Sequence, residues 1–282
     1  MHTSVHTVLW RRCGNVEGSH IRAGISDECR TAADLLAGAR DVLVITGAGM
    51  SQESGVPTFR DAQTGLWARY DPMELATPEA FRRHPARVFG WYAWRLRQVR
   101  AANPHAGHRA LTAMQRHFQR LTIVTQNVDG LHRRAGSRDV VELHGSLETF
   151  HCAERGHPYD ADKVMAAAPL EAAELPPPPC PVCGSPIRPG VVWFGETLPL
   201  AAMERAWSLA RECEVLLVVG TSAVVYPAAA LPEVAAARGI DVVEINPEPT
   251  PFTPNVTLAW SSTAAVALPQ LVHALAAREG SA

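Results

Sequence analysis

The 282-residue chain has a single lysine, Lys163; all its other basic residues are arginines. Its 26 basic and 28 acidic residues nearly cancel, to a net charge of −2, so the chain has no basic footprint for nucleic acid. No apolar run is long enough to span a bilayer, and the first twenty-odd residues lack the apolar core of a signal peptide. A cytoplasmic protein with neither membrane nor nucleic-acid partners is therefore expected. A disulfide framework is also missing. Cys13, Cys29, Cys152, Cys180, Cys183 and Cys213 are scattered, and the only C-x-x-C pair is Cys180 with Cys183, which suits a metal in a reducing compartment better than crosslinks. With 47% hydrophobic residues, the chain can still bury a substantial core, as one large domain or one carrying an inserted module.

Short apolar runs at 42–46, 121–125, 140–143, 215–219 and 242–245 read as buried parallel strands. Helical spacing predicts helices over 31–39, 78–100, 105–117, 204–211, 228–238 and, to close the chain, 269–278. This alternation implies an α/β fold with a Rossmann-like parallel sheet. Residues 147–190, with their cysteines and Pro176–Pro179, read as a smaller inserted module of zinc-knuckle-like or helical character. A helical insertion is expected over about 61–103 and a poorly ordered extension over 1–26. A single domain is expected over 27–275, with the parallel pattern resuming at Val191 and a short tail over 276–282.

The first strand runs directly into Gly47-Ala48-Gly49-Met50-Ser51-Gln52-Glu53-Ser54-Gly55-Val56-Pro57-Thr58-Phe59-Arg60. Closely spaced glycines after a strand let backbone N–H groups approach a diphosphate. The standard dinucleotide helix cannot continue, because Gly55 and Pro57 break it. A dinucleotide is therefore expected under a loop carrying Phe59 and Arg60, with Gly47, Ala48, Gly49, Ser51 and Glu53 beside it.

Three further polar groups follow strand ends, where open α/β sheets keep their ligand crevices. They are Gln126-Asn127-Val128-Asp129-Gly130-Leu131-His132, His144-Gly145-Ser146 and Gly220-Thr221-Ser222. Taken in order with the glycine segment, they make residues 30–275 resemble the sirtuins, NAD-dependent protein-lysine deacylases. The resemblance implies that His144 is the general base and that Asn127 and Asp129 form the nicotinamide pocket. It also implies NAD contacts from Gln126, Gly220, Thr221, Ser222, Asn246 and Ala264. In the implied reaction the acyl-lysine oxygen displaces nicotinamide from the ribose. His144 then activates a ribose hydroxyl, and the products are free lysine, nicotinamide and O-acyl-ADP-ribose. His132 reads as structural.

Tyr92 and Arg95 stand three apart on one helix face, where a phenol and a guanidinium can grip a carboxylate. The pair, with Thr58, resembles the class III sirtuins, which prefer succinyl-, malonyl- or glutaryl-lysine. The segment Val191–Glu196 resembles the strand that pairs with the substrate peptide, with Val192 and Phe194 bordering the acyl-lysine tunnel and Trp193 either core or lining. The expected partners are acylated lysine side chains of proteins.

Cys152, Cys180 and Cys183 offer three zinc ligands, but Arg155 stands where the family has a fourth cysteine. His157 or His151 could complete the set, or the module could be empty and held by packing. Two rival functions share parts of this pattern, a protein mono-ADP-ribosyltransferase and a non-catalytic NAD-binding module. A dehydrogenase fits worst because of Pro57.

Overall fold

The computed structural model describes residues 26–56, 71–168 and 174–279. Six strands form a parallel sheet in the order β3-β2-β1-β7-β8-β9: β1 (Asp41–Thr46), β2 (Arg120–Thr125), β3 (Val140–Glu142), β7 (Val215–Val219), β8 (Asp241–Asn246) and β9 (Leu258–Ser261). The chain builds outward from β1 to β3, then returns to the other side of β1 with β7. The strand order therefore reverses between β1 and β7, the place where such sheets open a crevice.

Alternation along the strands explains why both faces are covered. Val42 and Val44 of β1 and Val215, Leu217 and Val219 of β7 enter one core, under α1 (Asp27–Leu36), α5 (Ala106–Met114) and α10 (Ala264–Glu279). Leu43, Ile45, Leu216 and Val218 enter the opposite core, under α8 (Leu200–Glu212) and α9 (Ala230–Ala237). Among the described residues no helix is long and apolar enough to cross a membrane.

Caps and prolines move several boundaries. The first helix starts four residues before the expected Thr31, because Ser26 accepts a hydrogen bond from the Cys29 N–H and Asp27 and Glu28 fill the first turn. The expected 78–100 helix divides into α3 (Pro78–Arg83) and α4 (Pro85–Ala101), since Pro85 forces His84 out of helical geometry. The closing helix begins at Ala264, not Pro269, which lies inside it. Glu53 is responsible, accepting from the Ala265 N–H and the Thr263 hydroxyl at 2.9 Å each and so fixing the helix start. β9 had no expectation.

The inserted module contains a second, antiparallel sheet, β5-β4-β6, made of β4 (Gly145–Cys152), β5 (Pro158–Tyr159) and β6 (Ile187–Val191), with α7 (Ala161–Ala167). Val191 thus belongs to this sheet, and the parallel sheet resumes only with α8 and β7. The module shares one apolar core with α3 and α4, including Phe81, Phe89, Leu96, Phe150 and Trp193.

Gly220 has φ +59°, and a Cβ there would sit 2.3 Å from the Met50 nitrogen. Gly220→Ala should cost about 3 kcal/mol through a strained φ and a backbone clash together. Gly239→Ala, also at positive φ but with nothing within 4 Å, should cost only about 1 kcal/mol. Urea midpoints of the two variants check this. Equal losses would remove any energetic role from the packing around Gly220.

Candidate functional site

The glycine segment after β1 and the Gly220-Thr221 turn after β7 press against each other at the switch point. The Gly49 N–H donates to the Gly220 carbonyl at 2.8 Å, and the Gly47 N–H donates to Val219 at 3.2 Å. A Cβ on Gly47 would lie 2.7 Å from Thr221, and one on Gly49 would lie 2.9 Å from Gly220. The glycines are therefore required by protein packing as well as by any ligand. The helix that follows, α2 (Gly49–Gln52), is a single turn. Ala48 and Ser222 are exposed on the two turns. Turn N–H groups, a hydroxyl and small residues at two adjacent strand ends are a donor set that fits the diphosphate and ribose of NAD. Glu53 accepts at both oxygens from the start of α10. Ala264 is buried there, its carbonyl packed over Gly107. Thr58, Phe59 and Arg60 lie outside the described residues.

The end of β2 supplies the polar centre. Asn127 is buried and donates through Nδ2 to the Gly47 carbonyl at 2.9 Å and to Ser51 Oγ at 3.1 Å. Asp129 is also buried and accepts from the Leu131 N–H at 2.9 Å, with the Ser51 hydroxyl nearby favouring its charged form. Burial raises its pKa; these donors and the positive charges of Arg95 and Arg134 oppose the rise. Gln126 donates to Thr221 Oγ1 at 3.1 Å, and Asn246 donates to the Thr221 carbonyl at 2.7 Å. Four separated sequence segments thus meet around two strand ends.

His144 follows β3, and its Nδ1 lies 2.9 Å from the Gln126 carbonyl. A carbonyl can only accept, so Nδ1 carries the proton and the Nε2 lone pair is left to take one. Burial lowers the imidazole pKa below its ordinary 6.5, against a smaller opposing effect of the Gln126 bond. The ring is therefore neutral at pH 7, the form a general base requires. The His144 carbonyl also accepts from the Val192 N–H at 2.9 Å, which ties the chain just after β6 to the His144 backbone.

Tyr92 is buried and Arg95 half-buried on the same face of α4. The Arg95 guanidinium lies 5.0 Å from the Trp91 ring centre. Burial lowers its pKa, while Tyr92 and Asp129 favour its charge. Burial likewise pushes the Tyr92 phenol well above its usual range, and Arg95 partly opposes this. Trp193 is core, 3% exposed, with its ring 5.2 Å from Phe81 and 6.2 Å from Tyr92. Its indole N–H is near the Tyr92 hydroxyl but does not close a hydrogen bond of ordinary geometry. Arg188 stacks on Trp193 at 3.6 Å and makes bonds of 2.6 and 2.8 Å to Glu196, which also accepts from the Trp193 backbone N–H. Sequence reasoning missed this clamp; eight residues separate Arg188 from Glu196, a spacing with no helical or strand signal. Val192 is half-buried and Phe194 is 44% exposed.

In the small module, ligand atoms of Cys152, His157, Cys180 and Cys183 all lie within 4.8 Å of one another. Cys152 Sγ is 3.7 Å from Cys183 Sγ and 3.7 Å from His157 Nδ1, which is 3.5 Å from Cys180 Sγ. Tetrahedral zinc bond lengths imply about 3.8 Å between sulfurs and about 3.6 Å from sulfur to nitrogen. The donor set thus fits zinc, with His157 as fourth ligand. His151 instead turns its Nδ1 toward the Cys152 carbonyl at 3.1 Å. Arg155 is exposed and contributes its backbone N–H to Cys152 Sγ at 3.1 Å. Burial opposes ionisation of Cys152, but N–H donors led by Arg155 outweigh it and bring the thiol to about 6, toward the thiolate a metal needs.

Comparison with known proteins agrees with this geometry. A model described as the Sir2 family matches residues 47–227. The protein named NAD-dependent protein deacylase 1 of Pseudomonas aeruginosa is 53% identical over 220 residues, 78% of this chain and 88% of that protein. A Mycobacterium tuberculosis protein named NAD-dependent protein deacylase is 50% identical over 236 residues, 84% of this chain and 98% of that one. A crystal structure of a Sir2 homolog–NAD complex superposes with a TM-score of 0.81 at 42% identity, covering 88% of this chain and 94% of the other. With the family model spanning well over half its length, this chain belongs to the Sir2 family.

Proposed function

We propose that this Sir2-family, NAD-dependent protein deacylase removes acidic acyl groups (succinyl, malonyl and glutaryl) from protein lysines, with acetyl as a poorer substrate. One observation carries the reading: Arg95 and Tyr92 stand together on α4, largely out of solvent and beside the wall made by Trp193. A guanidinium and a phenol held in low dielectric suit a carboxylate that arrives on the acyl chain. An acetyl group has no charge to present to them.

Bound NAD supplies the electrophilic ribose carbon and the hydroxyl that receives the acyl group. The chain's own residues position and activate. Asn127 is oriented by its Nδ2 bonds to Gly47 and Ser51, which leaves its Oδ1 to accept from a carboxamide. His144 Nε2 takes a proton from a sugar hydroxyl while Gln126 holds Nδ1–H. The half-buried Val192 strand end suits an extended peptide, bound through main-chain hydrogen bonds and largely indifferent to its sequence. Products are free lysine, nicotinamide and O-acyl-ADP-ribose.

Arg95→Met should lower desuccinylation kcat/KM by about 30-fold or more, since a buried carboxylate would lose a charge-assisted contact of roughly 2–5 kcal/mol. Deacetylation should fall by much less, and equal losses on the two substrates would sink the pocket assignment. A base works only when unprotonated, so activity should be full above the His144 pKa and lost as pH falls through it. Because that pKa is lowered, the acid limb of the kcat/KM profile belongs below pH 6.5. His144→Ala should cut turnover about a hundredfold or more with an unchanged Tm and erase that limb. Metal analysis of purified protein should find one zinc per chain, and His157→Ala should lower its affinity. Zinc retention unaffected by that change would remove His157 from the ligand set.

A further inference from the structure

Behind the polar centre lies a cluster of three imidazoles that the proposed chemistry does not use. His105, at the start of α5, accepts from the Gly107 N–H at 2.9 Å through Nδ1 and donates through Nε2 to the Met50 carbonyl at 2.6 Å. Its ring centre is 4.3 Å from that of His108, which is 5.0 Å from that of His132, on α6 (Leu131–Arg134). His108 and His132 are 0% and 2% exposed. Among the described residues, neither ring nitrogen of His108 and not Nδ1 of His132 has a hydrogen-bond partner.

The remaining nitrogen leads back to the site. His132 Nε2 is 3.0 Å from Thr46 Oγ1, and the Thr46 hydroxyl donates to Thr125 Oγ1 at 2.8 Å. Thr125 Oγ1 in turn accepts the Asn127 backbone N–H at 3.0 Å. The one hydroxyl hydrogen of Thr46 is spent on Thr125, so Thr46 must accept from His132, whose Nε2 therefore carries the proton. Nδ1 of His132 is then a bare acceptor, buried beside a second imidazole that offers one donor and one acceptor. Burial brings the pKa of His108 to about 2 and of His132 to about 4, so both rings are neutral and neither carries charge to the site.

We propose that His132 is a positioning residue for the carboxamide pocket, fixing Asn127 through Thr46 and Thr125. The inference rests on the reading of Asn127 as the nicotinamide partner. Thr46 and Thr125 end adjacent strands just before Gly47 and Gln126, so one ring sets the height of both strand ends. A neutral, non-titrating donor suits that task better than a charge, which would compete with the substrate's own polarity.

The test is steady-state kinetics with NAD, nicotinamide and an acylated peptide on purified full-length variants. His132→Leu should raise the nicotinamide inhibition constant and KM for NAD by about tenfold, and His132→Gln, which keeps a donor toward Thr46, should stay within about threefold of the parent. KM for the peptide should not move in either. Thr46→Val breaks the same chain with little change of shape and should reproduce the leucine effect even where His132→Leu fails to fold. Nicotinamide inhibition unmoved in Thr46→Val, or equal effects of leucine and glutamine, would overturn the inference. If instead the parent protein released no nicotinamide with NAD and acylated peptide, the functional reading would fall and this inference with it, whereas failure in the variants alone would remove only this inference.

Discussion

The whole site depends on the contact between the turns that leave β1 and β7. Their backbones approach so closely that neither Gly47, Gly49 nor Gly220 has room for a Cβ. That contact aligns the ends of two central strands, and every polar group of the site is hung from those ends or from their neighbours. Gln126 spans from β2 to Thr221, Asn127 spans to Gly47, and Asn246 spans from β8 to Thr221. Moving one turn would move the donors of all the others, because few of these side chains are anchored only to their own strand.

Around this frame His144, Asn127 and Ser51 are oriented by neutral hydrogen bonds. His144 is held by a backbone carbonyl rather than a carboxylate, so its tautomer is set without raising its charge. Asn127 donates to the Gly47 carbonyl and to the Ser51 hydroxyl. On the module side, Arg95 is held among aromatic rings and Arg188 is stacked on Trp193 and forked onto Glu196. A guanidinium keeps its charge when buried, whereas an ammonium gives it up more readily. That property fits a chain that has one lysine and places it, Lys163, on the exposed surface of the small module.

Much of the framework was legible because it rests on local signals. Strands buried on both faces appear as continuous apolar runs, and β7 occupies the very residues expected. Helix ends were less legible, since Ser26 and Glu53 act through hydrogen bonds that periodicity does not record. The role of Glu53 is the clearest case: it lies within the glycine segment, yet its carboxylate serves a helix start more than 200 residues away. His157 was one of two candidate ligands, and only the folding of β4, β5 and the Cys180–Cys183 turn distinguished it from His151.

By itself, the sequence determined the α/β class, five of the six strands of the parallel sheet, the residues at their ends and the presence of a thiolate-rich module. These follow from apolar periodicity, from glycine and proline chemistry and from side-chain identity, all of which are local. Only the tertiary structure decided that Val191 joins a separate antiparallel sheet, that Trp193 is clamped core, that His157 stands among the cysteines and that His132 reaches Asn127 through two threonines. Each of those facts is a contact between segments distant in the chain or across a turn, and hydrogen-bond geometry and packing are properties of the assembled fold, not of any one stretch of it.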